Sequence, residues 1–245
     1  MKIALAQIES IVDDIDRNIA RHLAALGHLR AGDADLVIFP ELSLSNYEPS
    51  IVGRAAIDAG DARLTRFEEF AQRQGMSVCV GTPLRTDGKP SISAILFSPG
   101  QSRRVIHKAN LHADEEPFFA AGCEQASLLE MTSRVALAIC YDISVDAHIA
   151  QAAARGMEVY VASVAKTVAG IAAAREELVD KARAYEVPVL AVNSVGSCEG
   201  QPAGGNSMVI DADGLLVEAL DSGEQAMLIH DLESGSTRKL RLDID

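Results

Sequence analysis

Three residues able to carry acyl-transfer chemistry stand at the ends of apolar runs of strand length. Glu41 follows residues 36–39, with Pro40 holding Phe39 extended; Lys108 follows residues 104–107; Cys140 closes the run at 135–140, ahead of a helical pattern that starts near Ser144. In α/β proteins reacting groups gather just beyond the carboxyl ends of strands. A thiol becomes a nucleophile when a base takes its proton and a positive charge or helix N-terminus steadies the thiolate. A carboxylate serves as that base when partial burial raises its pKa towards neutrality. An ammonium then holds the oxyanion formed as the thiolate attacks a carbonyl or nitrile carbon. Cys, Glu and Lys therefore make a complete acyl-transfer set without histidine. Taken singly, each residue also fits an ordinary role: a small buried hydrophobe, a loop carboxylate, a surface lysine.

The elements that must position these residues can be read from periodicity. Apolar runs of strand length recur at 3–8, 36–39, 77–81, 94–97, 104–107, 135–140, 159–163, 187–193, 207–210, 215–220 and 227–232. Several are continuous rather than alternating, as expected of strands buried on both faces. Ile15, Ile19, His22, Leu23, Leu26 and Leu29 recur at helical spacing, as do Leu64, Phe67, Phe70 and Ala71, and further helices fit 145–155 and 169–185. Asp13, Asp14 and Asp16 fall short of a calcium loop and suit the start of the first helix, where negative charge favours the dipole. Elsewhere strand follows strand across short turns at 98–100 and 211–214. Mixed βα and ββ connections predict a layered α/β fold rather than a regular doubly wound sheet, and no linker divides residues 1–245 into more than one domain.

Composition narrows the function classes. The chain has 245 residues, 48% of them hydrophobic, which suffices for a sizeable core and excludes a disordered chain. Aromatics make up only 4% and the net charge is −13, a combination that argues against a nucleic-acid partner. Cys79, Cys123, Cys140 and Cys198 show no zinc-ligand spacing and read as free thiols in a reducing compartment. With no signal-peptide pattern and no apolar stretch of ~20 residues, the expectation is a cytoplasmic protein without membrane contact.

The motifs around the three residues resemble those of the nitrilase superfamily of carbon–nitrogen hydrolases: Phe39-Pro40-Glu41-Leu42, then His107-Lys108 with Leu111, then Cys140-Tyr141-Asp142, in that order. The likeness extends to Ala4-Leu5-Ala6-Gln7, to Glu115-Glu116-Pro117-Phe118-Phe119 leading to Gly122, and to Arg183-Ala184-Tyr185, Asn193, Gly205-Asn206-Ser207 and Asp211-Ala212-Asp213-Gly214. What the resemblance implies is a four-layer αββα sandwich that pairs into a homodimer or higher homo-oligomer, working without metal or organic cofactor. It implies that Glu41, Lys108 and Cys140 are catalytic and that a thioester forms on Cys140. The backbone N–H of Tyr141 would assist Lys108 at the oxyanion. Glu115 rather than Glu116 matches the superfamily's second glutamate, which would keep Lys108 charged and aimed. The segment after residues 159–163 would line the substrate pocket, so that Lys166 meets a substrate carboxylate. The expected partner is a small carboxamide, with nitriles and N-carbamoyl amines as alternative substrates and a catalytically silent binding protein as a further one.

One departure stands out: Ser144-Val145-Asp146 replaces the Pro–Glu usual after the nucleophile motif, which bears on a substrate contact there and not on the triad. Asp142 is expected to satisfy backbone N–H groups at the turn. A Cys–His pairing through His112 or His148 ranks low because sequence shows no geometry for it. Lys166-Thr167 lacks the glycines of a phosphate loop, and Gly204-Gly205 reads as a tight turn.

Overall fold

A computed structural model describes residues 1–122 and 126–244 of the chain. The chain runs β1 (Lys2–Gln7), α1 (Ile15–Leu26), β2 (Leu36–Ile38), α2 (Val52–Ala55), α3 (Thr65–Gln74), β3 (Ser77–Leu84), β4 (Ser91–Phe97) and β5 (Arg104–His107). It continues with β6 (Ser127–Glu130), β7 (Arg134–Ile139), α4 (Asp146–Ala154), β8 (Val159–Ser163), α5 (Val168–Tyr185) and β9 (Val189–Val192). The last elements are β10 (Ser197–Cys198), β11 (Gln201–Pro202), β12 (Met208–Ile210), β13 (Leu216–Ala219), β14 (Ala226–Asp231) and β15 (Thr237–Arg241).

A seven-stranded sheet has the order β15-β14-β1-β2-β3-β4-β5, a six-stranded sheet the order β13-β12-β9-β8-β7-β6, and β10 with β11 forms a separate hairpin. The continuous apolar runs arise because each strand is buried on both faces and divides its residues by parity. Ile3 and Leu5, Leu36 and Ile38, Val135, Leu137 and Ile139, Val159 and Val161, and Leu190 and Val192 belong to one core between the sheets. Their alternates face helices. Ala4, Ala6 and Val37 pack with Ile15, Ile19 and Phe67 of α1 and α3. Ala136, Ala138, Ala162 and Ala191 pack with Ile149, Ile171 and Leu178 of α4 and α5. Large residues fill the inter-sheet space, and alanines let the helices close onto the second sheet. The result is the α-β-β-α layering.

The expected elements recur with modest changes of extent. The strand expected at 77–81 continues through Pro83 to Leu84. Pro83's carbonyl faces away from β4, accepting from the Ile57 N–H at 3.1 Å, so its missing donor lies on a side where no ladder bond is lost. Sequence periodicity does not announce β15, because Thr237–Arg241 is a polar edge strand with Leu240 as its one large apolar residue. The first helix begins as expected, with the Asp14 carboxylate accepting from the Arg17 N–H at 3.0 Å. Cys79, Cys140 and Cys198 are free thiols; Cys123 lies outside the described residues. Among those residues, no helix is long and apolar enough to cross a membrane.

Direction matters most for function. β1, β2 and β3 run parallel, as do β7, β8 and β9. β5 is antiparallel to β4, which is antiparallel to β3, so β5 shares the direction of β2. The carboxyl ends of β2 and β5 therefore emerge at one end of the first sheet. Those of β7 and β8 meet them there, since the Ser163 hydroxyl at the end of β8 donates to the Phe39 carbonyl after β2 at 2.9 Å.

Gly81 in β3 sets how closely the chain after β2 can lie. A Cβ there would overlap the Pro40 carbonyl oxygen and come within 2.5 Å of the Leu42 nitrogen. Gly81→Ala should therefore destabilise the protein by about 1–3 kcal/mol in urea unfolding, the usual range for an overpacked core. Gly53→Ala, on α2 with open space around it, should be neutral or stabilising by the same measurement.

Candidate active site

Glu41 sits in a turn that leaves the end of β2 and is pinned from two sides. From β3, the Gly81 carbonyl accepts the Leu44 N–H at 2.9 Å. From α1, the Asn18 amide donates to the Leu44 carbonyl at 2.9 Å, and His22 Nε2 lies 2.9 Å from the Ser43 hydroxyl. His22 Nδ1 bonds the Asn18 carbonyl, so Nε2 is left to accept, and burial lowers the ring's pKa to about 3. Leu42 takes the left-handed conformation, with φ 50°. That strain is tolerated because the surrounding contacts over-determine the turn.

Glu41 is buried, with its side chain fully enclosed. Its Oε1 accepts from Lys108 Nζ at 2.8 Å, while Oε2 is buried without a hydrogen-bond partner. Burial pushes the carboxyl up to about 7, with Lys108 opposing and Glu115 reinforcing the rise.

Lys108 follows β5. Its N–H donates to the Ile92 carbonyl and its carbonyl accepts from the Gly122 N–H, both at 2.8 Å. At Gly122 a Cβ would press on His107 and the Lys108 carbonyl, so this loop also depends on glycine for its close approach. The ammonium donates to Glu41 and, at 2.6 Å, to Glu115 Oε1. Burial would lower the Lys108 pKa, but Glu41, Cys140 and Glu115 outweigh it and hold the amine above its ordinary range.

Glu115 is itself held by the Tyr47 hydroxyl at 2.8 Å and by the His112 N–H at 2.8 Å. Glu116, one residue on, is exposed.

Cys140 begins a 3₁₀ turn, Cys140–Ser144, directly after β7, and has φ 44°. This sparsely populated conformation at a sharp strand-to-helix turn places backbone strain at the thiol. The turn is braced by Asp142. Its Oδ2 accepts from the Ile139 N–H at 3.0 Å, and its Oδ1 accepts from both the backbone N–H and the side-chain amide of Asn110, at 2.8 and 2.9 Å. Asp142 thus ties the Cys140 turn to the segment that carries Lys108. Burial and the Glu41 charge push the Cys140 thiol up to about 12, with Lys108 and Lys166 opposing.

A cleft of about 240 Å3 opens onto Cys140, lined also by Tyr47, Glu115, Tyr141, Lys166 and Glu199. A larger cavity of about 670 Å3 lies between α5 and β13 and is lined by none of the clustered groups. The structure thus brings Glu41, Lys108 and Glu115 into direct contact and places Cys140, Tyr141 and Lys166 on the same cleft. His148 is elsewhere, buried behind the turn with Nδ1 3.0 Å from the Tyr160 hydroxyl. His112 lines the cleft, bonded to Asp114 at 2.6 Å. Sequence reasoning missed Tyr47, Asn110 and the β10–β11 hairpin. Asn110 had a signal, lying between Lys108 and Leu111 in the motif that carries the lysine; Tyr47 had none.

Known proteins resemble this chain in sequence and in fold. The chain is 26% identical to an (R)-stereoselective amidase from a Pseudomonas species, over 100% of this chain and 89% of that protein. It is 24% identical to the glutamine-dependent NAD(+) synthetase of Synechocystis, over 95% of this chain and 47% of that longer protein. Its fold is similar to that of a cysteine-to-serine mutant of the Nesterenkonia AN1 amidase from the nitrilase superfamily. The TM-score is 0.84 at 22% identity, covering 96% of this chain and 94% of that one. A family model described as carbon–nitrogen hydrolase matches residues 2–242, from the first strand past the last and through every residue of the buried cluster. On that match the chain belongs to the carbon–nitrogen hydrolase family.

Proposed function

We propose that the chain hydrolyses the C–N bond of a small carboxamide and releases ammonia, with Cys140 as nucleophile, Glu41 as general base and acid, and Lys108 at the oxyanion. The observation that carries this reading is the buried ion cluster of Lys108 with Glu41 and Glu115 beside a strained thiol. Glu41 takes the thiol proton as Sγ bonds to the amide carbon and the carbonyl electron pair moves to oxygen. An ammonium has three N–H donors, of which two are engaged by Glu41 and Glu115, so one remains for the oxyanion. The Tyr141 N–H lies in the first turn of its helix, where a backbone donor has no intrahelical acceptor, and supplies a second. The tetrahedral intermediate collapses, the C–N bond breaks, and nitrogen leaves as ammonia with the proton held by Glu41. Glu41 then takes a proton from water as its oxygen attacks the thioester; the acid departs and the proton returns to sulfur.

Charge explains why this set works at neutral pH. A thiol pushed up to about 12 rests protonated and needs a base beside it when it attacks. A carboxyl near 7 is a base matched to that task. Once Glu41 is protonated, its negative charge no longer competes for Lys108, and the ammonium is free to turn towards the developing oxyanion.

The homo-oligomer that the family resemblance implies remains part of the proposal. Val168, Leu216 and Val217 are exposed large hydrophobics, and the first two line the 670 Å3 cavity beside α5 together with Arg175, Glu176, Asp180 and Arg183, a mixed face whose apolar part a second copy of the chain would cover.

Activity, pH dependence and association state each test the proposal. In an ammonia-release assay on small amides, Cys140→Ala should lose turnover while its far-UV circular dichroism is unchanged; Glu41→Gln should lose about 10²–10⁴-fold in kcat/KM, the usual share of acid–base catalysis. In the wild type, kcat/KM should rise with pH to a plateau, with its midpoint near the Glu41 value of about 7, because only the ionised carboxylate accepts the thiol proton. Alkylation of Cys140 should follow the same limb; a flat profile from pH 6 to pH 8 would contradict the assignment of the base. In sedimentation, Leu216→Glu should lower the association state if the apolar face is the contact, and an unchanged state would place the contact elsewhere.

A further inference from the structure

Two carboxylates share the Lys108 ammonium, and only one of them can be the group that takes the thiol proton. Their surroundings are unequal. Among the described residues Glu115 accepts three hydrogen bonds: Oε1 takes Lys108 Nζ at 2.6 Å and the Tyr47 hydroxyl at 2.8 Å, and Oε2 takes the His112 N–H at 2.8 Å. Glu41 accepts one, from Lys108 on Oε1 at 2.8 Å, and its Oε2 is buried without a partner. Donors aimed at a carboxylate favour its ionised form, and burial without a donor favours the protonated one. Lys108 serves both groups, so the inequality comes from the His112 N–H and from Tyr47.

Tyr47 is held to give that bond. Its ring belongs to the core between the sheets, in one cluster with Leu42 and Phe119. Its N–H donates to Asn46 Oδ1 at 2.7 Å, and its carbonyl accepts from the Glu199 N–H at 3.0 Å. Burial and the charges of Glu41 and Glu115 hold the phenol protonated well above its ordinary range, so the hydroxyl is a donor throughout the working pH range. The other titratable groups that face the pair are Lys108 and Cys140 at the strand ends, with Lys166 reaching the thiol and Glu199 lying at the hairpin turn.

We propose that Tyr47 divides the work between the two carboxylates: its hydroxyl keeps Glu115 as the fixed counterion of Lys108 and leaves Glu41 as the one that exchanges the proton. This rests on the hydrolase reading above and makes Tyr47 a positioning residue, since it acts through Glu115 and touches no reacting atom. Without the hydroxyl, Glu115 competes with Glu41 for the proton, and the two titrate as a unit. A proton on Glu115 also removes one of the two charges that hold the ammonium in place.

The test reads the pH dependence of Cys140 alkylation by iodoacetamide, followed by mass spectrometry, which needs no substrate, beside ammonia release from small amides. In Tyr47→Phe, which keeps the ring and removes only the oxygen, the midpoint of the acid limb should move to higher pH by about 0.3 unit or more, the shift produced when a second carboxylate of similar affinity joins the first. The sign follows because two acceptors take up the first proton more readily than one. A merely structural loosening would admit water to Glu41, relieve the burial that raises its carboxyl and move the midpoint down. Glu115→Gln removes a charge that pushes Glu41 up, so its limb should lie at lower pH than that of the wild type, and adding Tyr47→Phe to it should give no upward shift. An unmoved or lowered midpoint in Tyr47→Phe would overturn the inference and leave the hydrolase reading intact, as would the same upward shift in the Glu115→Gln background. If Tyr47→Phe does not fold, Glu115→Gln decides: a midpoint at or above that of the wild type would show that Glu115 is not the charged counterion. A flat wild-type profile across this limb would overturn both readings.

Discussion

A single ammonium buried between two carboxylates is the interaction on which the rest of the structure depends. Taking Lys108, Glu41 and Glu115 out of water costs several kcal/mol per ion, and their mutual attraction offsets that only with close geometry and further hydrogen bonds. The surroundings supply both. Tyr47 and the His112 N–H complete Glu115, and the turn that holds Glu41 is fixed by α1 and by β3. The exception is Glu41 Oε2, buried and without a hydrogen bond. An unsatisfied carboxylate oxygen is costly in the resting protein and is the atom best suited to receive a proton.

The two sheets have to meet for this cluster to face a thiol. Glu41 and Lys108 come from one sheet and Cys140 from the other, so nothing local in the chain brings them together. Parity packing between the sheets sets their spacing. Cross-sheet bonds set their relative position at the working end: Ser163 to the Phe39 carbonyl, and the Ser207 N–H to Gln7 Oε1 at 2.9 Å. Asp142 adds the finest adjustment, because one side chain holds both the Cys140 turn and the Lys108 segment.

What was legible in the sequence follows from this architecture. Strands buried on both faces leave long apolar runs, and a charged or thiol residue where such a run stops is conspicuous; Glu41, Lys108 and Cys140 were visible for that reason. The burial of Glu115 and the exposure of Glu116 could be anticipated only through motif resemblance, since both are acids in one acidic loop. Tyr47 could not be anticipated, because its partner lies far along the chain and its own neighbourhood is irregular. The edge strand Thr237–Arg241 was hidden by its charges, which suit an exposed edge but erase the apolar signal.

The β10–β11 hairpin pairs with neither large sheet. It reaches the cleft through a few contacts, among them Glu199 to Tyr47, the Cys198 thiol to the Ala165 carbonyl and the bridge between Thr167 and Ala203. Residues in its turn can be exchanged, or the turn lengthened, without breaking a ladder bond or moving a strand end. The turn's one bond to Tyr47 is also a link inward, because the Tyr47 hydroxyl holds Glu115; a change in this small hairpin therefore reaches the buried cluster through a single residue and leaves both large sheets untouched.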